Sequence, residues 1–261
     1  MSGKVYLVGA GPGDPELLTF KAWRVLNSAD VVLHDELVSE AILALIPAKA
    51  ILHNVGKRAR RSGTSQAEIN AHLVRYGWMG LRVARLKGGD PLIFGRAGEE
   101  METLRAAGID FEVVPGVSAG LAAAASTRIP LTHRQIASSL MILTGHGSGE
   151  RPASWPARIP STATLLIYMP GYDFAATARQ LLEAGLEKAT PCAVVANAST
   201  SREEIHLTSL EDLPSIPRRD QPTVLLVGEV VRLARVRSRA EVFPHSFLAH
   251  EKLPVSGDWP E

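Results

Sequence analysis

From residue 5 the chain repeats one unit: a short apolar run rich in β-branched residues, a turn of a few residues, then a run with helical apolar spacing. The strand-like runs are Val5 to Gly9, Val31 to Leu33, Ile51 to Val55, Leu81 to Leu86 and Phe111 to Val114. Parallel strands need a crossover, and a helix between strands supplies one. Strict alternation with short connections therefore predicts a doubly wound, largely parallel sheet covered on both faces. In such sheets the ligand crevice lies outside the carboxyl ends of the strands. All five strand ends here carry glycines or charged groups.

Local signals place the helices between them. Thr19 is a candidate N-cap for the run carrying Leu18, Ala22, Val25 and Leu26. Ser39 competes with Asp35 for the role of cap after the second strand. Ser65-Gln66-Ala67-Glu68 is a capping-box pattern ahead of an Ile69, Leu73, Tyr76 stripe. A helix with Met101 and Leu104 on one face stops at Gly108.

Two glycine turns hold the chemistry. Gly9-Ala10-Gly11-Pro12-Gly13-Asp14 follows the first strand, which invites a dinucleotide site. The third glycine comes one position early, Pro12 lies inside the turn, and Asp14 and Glu16 sit where a pyrophosphate needs positive charge. A nicotinamide-dependent oxidoreductase is disfavoured on that ground. The second turn, Lys87-Gly88-Gly89-Asp90-Pro91-Leu92-Ile93-Phe94-Gly95-Arg96, lets backbone approach a ligand and offers the Asp90 carboxylate. Arg96 and Glu99 stand three apart at the start of the next helix.

The pattern changes after Ile129-Pro130-Leu131-Thr132-His133-Arg134. Residues 1–134 read as an N-terminal α/β domain and 135–240 as a smaller C-terminal α/β domain with a mixed sheet. Its strands are expected at Leu140 to Thr144, Leu165 to Tyr168, Ala193 to Ala196, Glu204 to Leu207 and Thr223 to Gly228, with a helix from Phe174 to Leu182 and a helix start at Glu229. Residues 241–261 lose periodicity and read as an irregular tail.

With 28 basic and 27 acidic residues, no overall field argues for nucleic acid or a membrane surface. The densest basic run, Lys57-Arg58-Ala59-Arg60-Arg61, suits a solvated loop or an anionic substrate. Cys192 is the one cysteine, so an intrachain disulfide and a cysteine-rich metal site are both excluded, and it reads as a small core residue. His133 and His146 stand in loops without metal-ligand spacing, so no metal is expected. The N-terminus has no secretory pattern and no run is long enough for a membrane span, which points to the cytoplasm.

Taken together, Val8 to Asp14, Val32 to Asp35, Gly56 to Arg58, Arg85 to Arg96, Val114 to Ala119, Ile129 to Arg134, Leu143 to His146, Tyr168-Met169 and Val227 to Val230 resemble the tetrapyrrole methylases, most closely the uroporphyrinogen-III C-methyltransferase branch. The resemblance implies a two-lobed α/β protein, usually a homodimer, with S-adenosylmethionine between the lobes. By the same resemblance, Pro12, Gly88, Gly89, Asp90, Ile93, Ser118, Ala119, Met169 and Ala198 contact the cofactor. Ser118 stands where threonine is common, Ala198 where glycine is common, and Pro170 where glycine often follows Met169.

The implied reaction needs neither metal nor covalent nucleophile, because a methyl sulfonium is already activated. It needs alignment and exclusion of water. The acceptor is a reduced macrocycle with eight carboxylates, which calls for cations at its rim. Arg96, Arg134, Lys57 and Arg58 are the candidates. Carbon methylation also requires a proton to leave, and Asp35 as base, Lys57 as acid, and Arg96 with Glu99 as orienting groups fit that need. The product expected is precorrin-2. A methyltransferase acting on a later corrin precursor and a non-catalytic S-adenosylmethionine-binding protein remain open alternatives.

Overall fold

A computed structural model describes residues 3–56, 64–147, 155–171, 174–217 and 220–236. The first sheet contains β1 (Lys4–Gly9), β2 (Val31–His34), β3 (Ile51–Asn54), β4 (Arg82–Lys87) and β5 (Asp110–Val114), in the order β3-β2-β4-β1-β5. Every pairing in it is parallel, as the alternation requires. The helices between them are α1 (Phe20–Ser28), α2 (Glu40–Leu43), α3 (Gln66–Trp78) and α4 (Ala97–Ala106).

The two-residue period of the strands divides the side chains between two cores. Val8, Val32, Ala84, Leu86 and Val114 pack against Ala22, Val25 and Leu26 of α1 and Ile42 of α2. Val5, Leu7, Leu33 and Val83 pack against Ile69 and Leu73 of α3 and Ala97 and Leu104 of α4. The caps expected at Thr19, Ser39 and Ser65 are present, and Ser65 with Glu68 forms the full capping box. The short α2 has a cap signal in the sequence but no apolar period of its own. It begins where the Ser39 hydroxyl accepts from the Ile42 N–H at 3.3 Å, a local bond that needs no long periodic run to announce it.

β1 leads through α1 to β2 on one side, and β4 leads through α4 to β5 on the other. The adjacent strands β1 and β4 therefore part at a topological switch point, with their carboxyl ends facing a crevice. Both glycine turns follow these two strands.

The second sheet follows α5 (Ala119–Thr127). It consists of β6 (Ser139–Thr144), β7 (Ala163–Tyr168), β8 (Pro191–Ala196), β9 (Glu204–Ser209) and β10 (Thr223–Val227), ordered β6-β7-β10-β8-β9. β6 and β7 are parallel and the other pairings antiparallel, so this sheet is mixed, as expected. α6 (Phe174–Glu183) buries Phe174, Ala178 and Leu181 on one face. On the other face lie Ala122, Ala123 and Ala124 of α5, with Val230 and Val231 of a 3-10 segment, Glu229–Leu233, where an α-helix start was expected. Thus α5 precedes residue 134 in sequence yet packs on the second sheet. Small side chains let it sit close: a methyl on Gly120 would collide with Leu166 and Tyr168. None of the described helices is long and apolar enough to cross a membrane. The tail beyond residue 240 lies outside the described residues.

Cys192 lies in β8 with no exposed surface, and burial pushes its thiol from 9.0 up to about 12. At pH 8 a thiol reagent is therefore expected to leave the native chain untouched and to take up one equivalent after denaturation. Above pH 9 the unfolded thiol ionises while the native one keeps its proton. This group's contribution to stability is then lost at about 1.4 kcal/mol per pH unit as the pH climbs toward about 12. Urea unfolding of wild type against Cys192→Ala as a function of pH checks the sign.

Candidate active site

Three backbones meet at the switch point. A Cβ on Gly9, at the end of β1, would stand 2.6 Å from the Gly116 nitrogen and 2.7 Å from the Gly89 carbonyl oxygen. A Cβ on Gly116 would run into the same Gly89 oxygen. Real side chains do not tolerate such distances, so the convergence requires glycine on both strands. The turns are then tied together: the Gly11 N–H donates to the Gly89 carbonyl at 3.2 Å, and the Gly89 N–H donates to the Gly11 carbonyl at 2.7 Å. The result is a floor of bare backbone lined by Pro12, Gly88 and Gly89.

Asp90 joins this floor. Its Oδ1 accepts from the Leu92 N–H at 2.8 Å and its Oδ2 from the Gly116 N–H at 3.0 Å. The sequence shows Asp90 only as a carboxylate on a turn. The structure uses one lone pair of each oxygen to fasten the β4 loop to the end of β5, leaving the others for a ligand. Ile93 follows, half-buried, and the Phe94 ring rests against Tyr168 from the second sheet at 5.4 Å.

Tyr168 also ties the lobes by hydrogen bonds. Its hydroxyl accepts from the Gly120 N–H at 2.9 Å and donates to Ser118 Oγ at 3.0 Å. Ser118 and Ala119, at the start of α5, thereby lie between the β4 loop and the end of β7. Met169 comes next, with φ at 48°. On the neighbouring loop, Asn197 and Ser199 flank Ala198 at φ of 48° and 62°. Left-handed backbone at non-glycine residues costs energy and gathers at functional loops. The Ser199 Oγ is buried without a hydrogen-bond partner among the described residues. The 197–200 loop approaches the first glycine turn, since a methyl on Gly13 would meet Thr200 Cγ2 at 2.7 Å. Eight of the nine cofactor-contact candidates thus lie on turns that these contacts draw together, and Ala119 opens α5 beside them.

Asp35, at the end of β2, has a part-exposed carboxylate whose Oδ1 accepts a short ion-paired bond from Arg85 Nη2. Behind it is a cluster that sequence reasoning missed. Arg85 and Lys87 are each 2% exposed and Glu100 of α4 is fully buried. Glu100 Oε1 accepts from Arg85 Nε and Lys87 Nζ, both at 3.0 Å, and from Gln66 Nε2 at 3.3 Å. Its Oε2 accepts again from Lys87 Nζ at 3.1 Å. Arg85 Nη1 donates to the carbonyls of Leu33 and Leu86 at 3.4 and 3.3 Å. Burial acts to lower the Arg85 guanidinium, but Asp35 and Glu100 outweigh it and raise it further. Burial, aided by the nearby Arg85, pulls the Lys87 ammonium below its ordinary value.

Two signals could have revealed this cluster. Arg85 and Lys87 alternate with apolar residues on a central strand whose two faces are both covered. Glu100 falls on the buried stripe with Ala97 and Leu104.

The remaining candidates lie at the rim. Arg96, at left-handed φ, opens α4 and pairs with Glu99 through two bonds of 2.7 Å. Its side chain is 55% exposed. The pair holds Arg96 up and the Glu99 carboxyl down, each relative to its ordinary value, mainly through this hydrogen bonding. Arg134 is exposed in a turn closed by the backbone bonds between His133 and Ala137. Lys57 and Arg58 lie outside the described residues; the chain leading to them is tied by Asn54 Nδ2 donating to Glu36 Oε2 at 3.1 Å. Among the described residues no group of three or more His, Cys, Asp or Glu could hold a metal.

The family described as Tetrapyrrole (Corrin/Porphyrin) Methylases matches residues 4–214. A siroheme synthase of Azotobacter vinelandii is 47% identical over 237 residues, covering 88% of this chain but 51% of its own. The chain thus spans about half the length of such relatives. A uroporphyrinogen-III C-methyltransferase of Paracoccus denitrificans is 45% identical, covering 89% of this chain and 83% of its own. Among solved structures, the uroporphyrin-III C-methyltransferase of Thermus thermophilus complexed with S-adenyl homocysteine superposes with a TM-score of 0.75 at 40% identity, covering 88% of this chain and 94% of its own.

The glycine floor predicts opposite outcomes at two positions. Gly116→Ala is expected to lower stability by about 1–3 kcal/mol, because backbone must move. Gly98→Ala, where nothing lies within 4 Å of the new methyl, is expected to raise it by about 0.5–1 kcal/mol through helix propensity. Urea unfolding of the two variants beside wild type measures both.

Proposed function

Because the chain belongs to the tetrapyrrole (corrin/porphyrin) methylases, we propose that it is an S-adenosylmethionine-dependent C-methyltransferase that converts uroporphyrinogen III to precorrin-2 by two methyl transfers. This reading places it in the formation of sirohaem and related tetrapyrroles. The observation that carries it is the backbone-floored cradle at the switch point, standing beside the part-exposed Asp35 carboxylate. The relatives named for the same reaction support it.

The cradle suits this cofactor. The ligand has ribose hydroxyls, an amino group and an adenine, but no phosphate. Asp90 offers acceptor lone pairs, Ser118 and the orphaned Ser199 hydroxyl offer polar contacts, and Asp14 and Glu16 repel phosphates. In this reading Pro12, Gly88, Gly89, Asp90, Ile93, Ser118, Ala119, Met169 and Ala198 hold it. Bound there, it supplies a methyl group activated by the sulfonium.

The chain's residues do the rest. Tyr168 and Phe94 pack together across the join between the lobes and form a wall of the site. Arg96 and Arg134, with Lys57 and Arg58, meet the macrocycle's carboxylates. Their exposure leaves them free to reorient, and Arg96 exchanges Glu99 for a substrate carboxylate at little cost, since an exposed pair contributes about 0–1 kcal/mol. Asp35 takes the proton that the macrocycle loses as each methyl is added. Its second oxygen has no partner among the described residues, while Arg85 fixes the first. A homodimer working in the cytoplasm belongs to the same reading, and Ile51 and Leu52, exposed on the edge strand β3, support self-association.

The test is incubation with uroporphyrinogen III and methyl-labelled S-adenosylmethionine. Two labels per tetrapyrrole are expected. Cofactor binding without transferred label would sink the assignment, and label passed only to a later corrin precursor would move the enzyme along the route. Asp35→Asn should lower kcat by about 100-fold or more while S-adenosylhomocysteine still binds. Arg96→Ala should raise KM for the tetrapyrrole by about 10-fold, with the KM for the cofactor unchanged.

A further inference from the structure

Glu100 lies at the centre of the buried cluster, yet nothing in the methyl-transfer reading uses it. It stands in the first turn of α4 with no exposed surface and holds two cations on one carboxylate. A buried ion cluster is a poor way to stabilise a core, because apolar residues of similar volume do as well or better. Its geometry has a direction, however. Arg85 reaches from Glu100 on its Nε side to Asp35 on its Nη2 side, and its Nη1 is held by the carbonyls of Leu33 and Leu86. Every edge of the guanidinium is occupied, so it cannot turn without breaking bonds to two strands and a helix. Lys87 adds the second positive charge. With it, two cations face two anions, and the Glu100 charge is offset without drawing Arg85 away from Asp35.

We propose that Glu100 is a positioning residue for methyl transfer: acting through Arg85, it fixes the orientation of the Asp35 carboxylate, with Lys87 as its counter-charge. This rests on the reading of Asp35 as the base. Glu100 does not touch Asp35; it reaches Asp35 through Arg85, and its other contact, to Lys87 at the start of the second glycine turn, is the one that unchanged S-adenosylhomocysteine affinity controls for. A displaced carboxylate costs turnover steeply, because proton transfer depends on sub-ångström placement.

The test uses the full chain and compares Asp35→Asn, Glu100→Gln, the pair Glu100→Gln/Lys87→Met, and the triple variant adding Asp35→Asn to that pair. The paired change removes one anion and one cation together, so no uncompensated charge is left in the core should Glu100→Gln alone fail to fold. Methyl transfer to uroporphyrinogen III, S-adenosylhomocysteine affinity by calorimetry and thermal unfolding are measured for each. The paired variant is expected to fold, to bind S-adenosylhomocysteine within about twofold of wild type, and to lose about 10- to 100-fold in kcat with little change in either KM. In the Asp35→Asn background the same pair should slow turnover by no more than about twofold, because the group being positioned is already gone.

A full multiplicative loss in that background, or a change confined to KM or cofactor affinity, overturns the proposal. So does full turnover by the paired variant beside an impaired Asp35→Asn. An Asp35→Asn chain with undiminished turnover instead removes the role given to Asp35, and the Glu100 role falls with it.

Discussion

The ends of β1, β4 and β5 approach within van der Waals reach because the residues at the meeting point carry no side chains. Gly9 and Gly116 leave open a space that one Cβ would fill, and Gly89 turns its carbonyl into it at a left-handed φ of 68°. Other features follow from that proximity. The exchange of hydrogen bonds between Gly11 and Gly89 needs it. So does the reach of the Asp90 carboxylate to the Gly116 N–H. α5 is then launched from a fixed point, which sets Ser118 and Gly120 opposite the Tyr168 hydroxyl and so joins the two lobes. A crevice that topology leaves open is thereby given a rigid floor and one defined wall.

The other wall is electrostatic. Four charged side chains stand in line from the interior to the crevice: Glu100 without exposure, Lys87 and Arg85 nearly so, and Asp35 at the mouth. Taking charges out of water costs several kcal/mol per ion, and breaking such a set from one side costs about 3–5 kcal/mol. The arrangement keeps itself neutral and satisfies each hydrogen-bonding edge of Arg85, which is the condition under which a buried network is rigid. Its two cations come from alternate positions of one central strand, so the pleat itself sets their spacing.

Much of this was legible in the sequence, and the reasons for the rest are physical. Alternation of β and α runs predicts the parallel sheet and its ligand edge because the crossover rules leave few other solutions. Capping residues at Thr19, Ser39 and Ser65 act locally, so their roles are readable without tertiary knowledge. The strand-end turns were visible for the same reason. Glu100 is hard to single out because two acidic residues stand side by side at the start of α4. Reasoning by spacing chose Glu99, three residues from Arg96. The helix turns Glu99 outward to the rim and Glu100 inward to Arg85 and Lys87. A single position on a helix rotates a side chain by about 100°, and only the apolar stripe through Ala97 and Leu104 says which carboxylate lies inside. The extra bonds of Asp90 were hidden for a different reason: its partner, Gly116, is distant in sequence and close only once the sheet has formed.

The placement of α5 bears on how the molecule comes into being. During synthesis the first sheet is complete once β5 has emerged, and its helices cover both faces. α5 follows at once, but the surface meant for Ala122, Ala123 and Ala124 does not yet exist. β10, whose Leu226 lies in that core, is made only near residue 227, and the chain then returns to give the Arg235 N–H to the Thr127 carbonyl at 2.9 Å. Throughout that interval a growing chain presents an apolar helix to its surroundings, in the state in which nascent chains are most prone to aggregate. The same dependence limits how evolution can recombine the lobes. A cassette cut after Arg134 would leave the second sheet without its cover, so the helix must travel with the half it packs on.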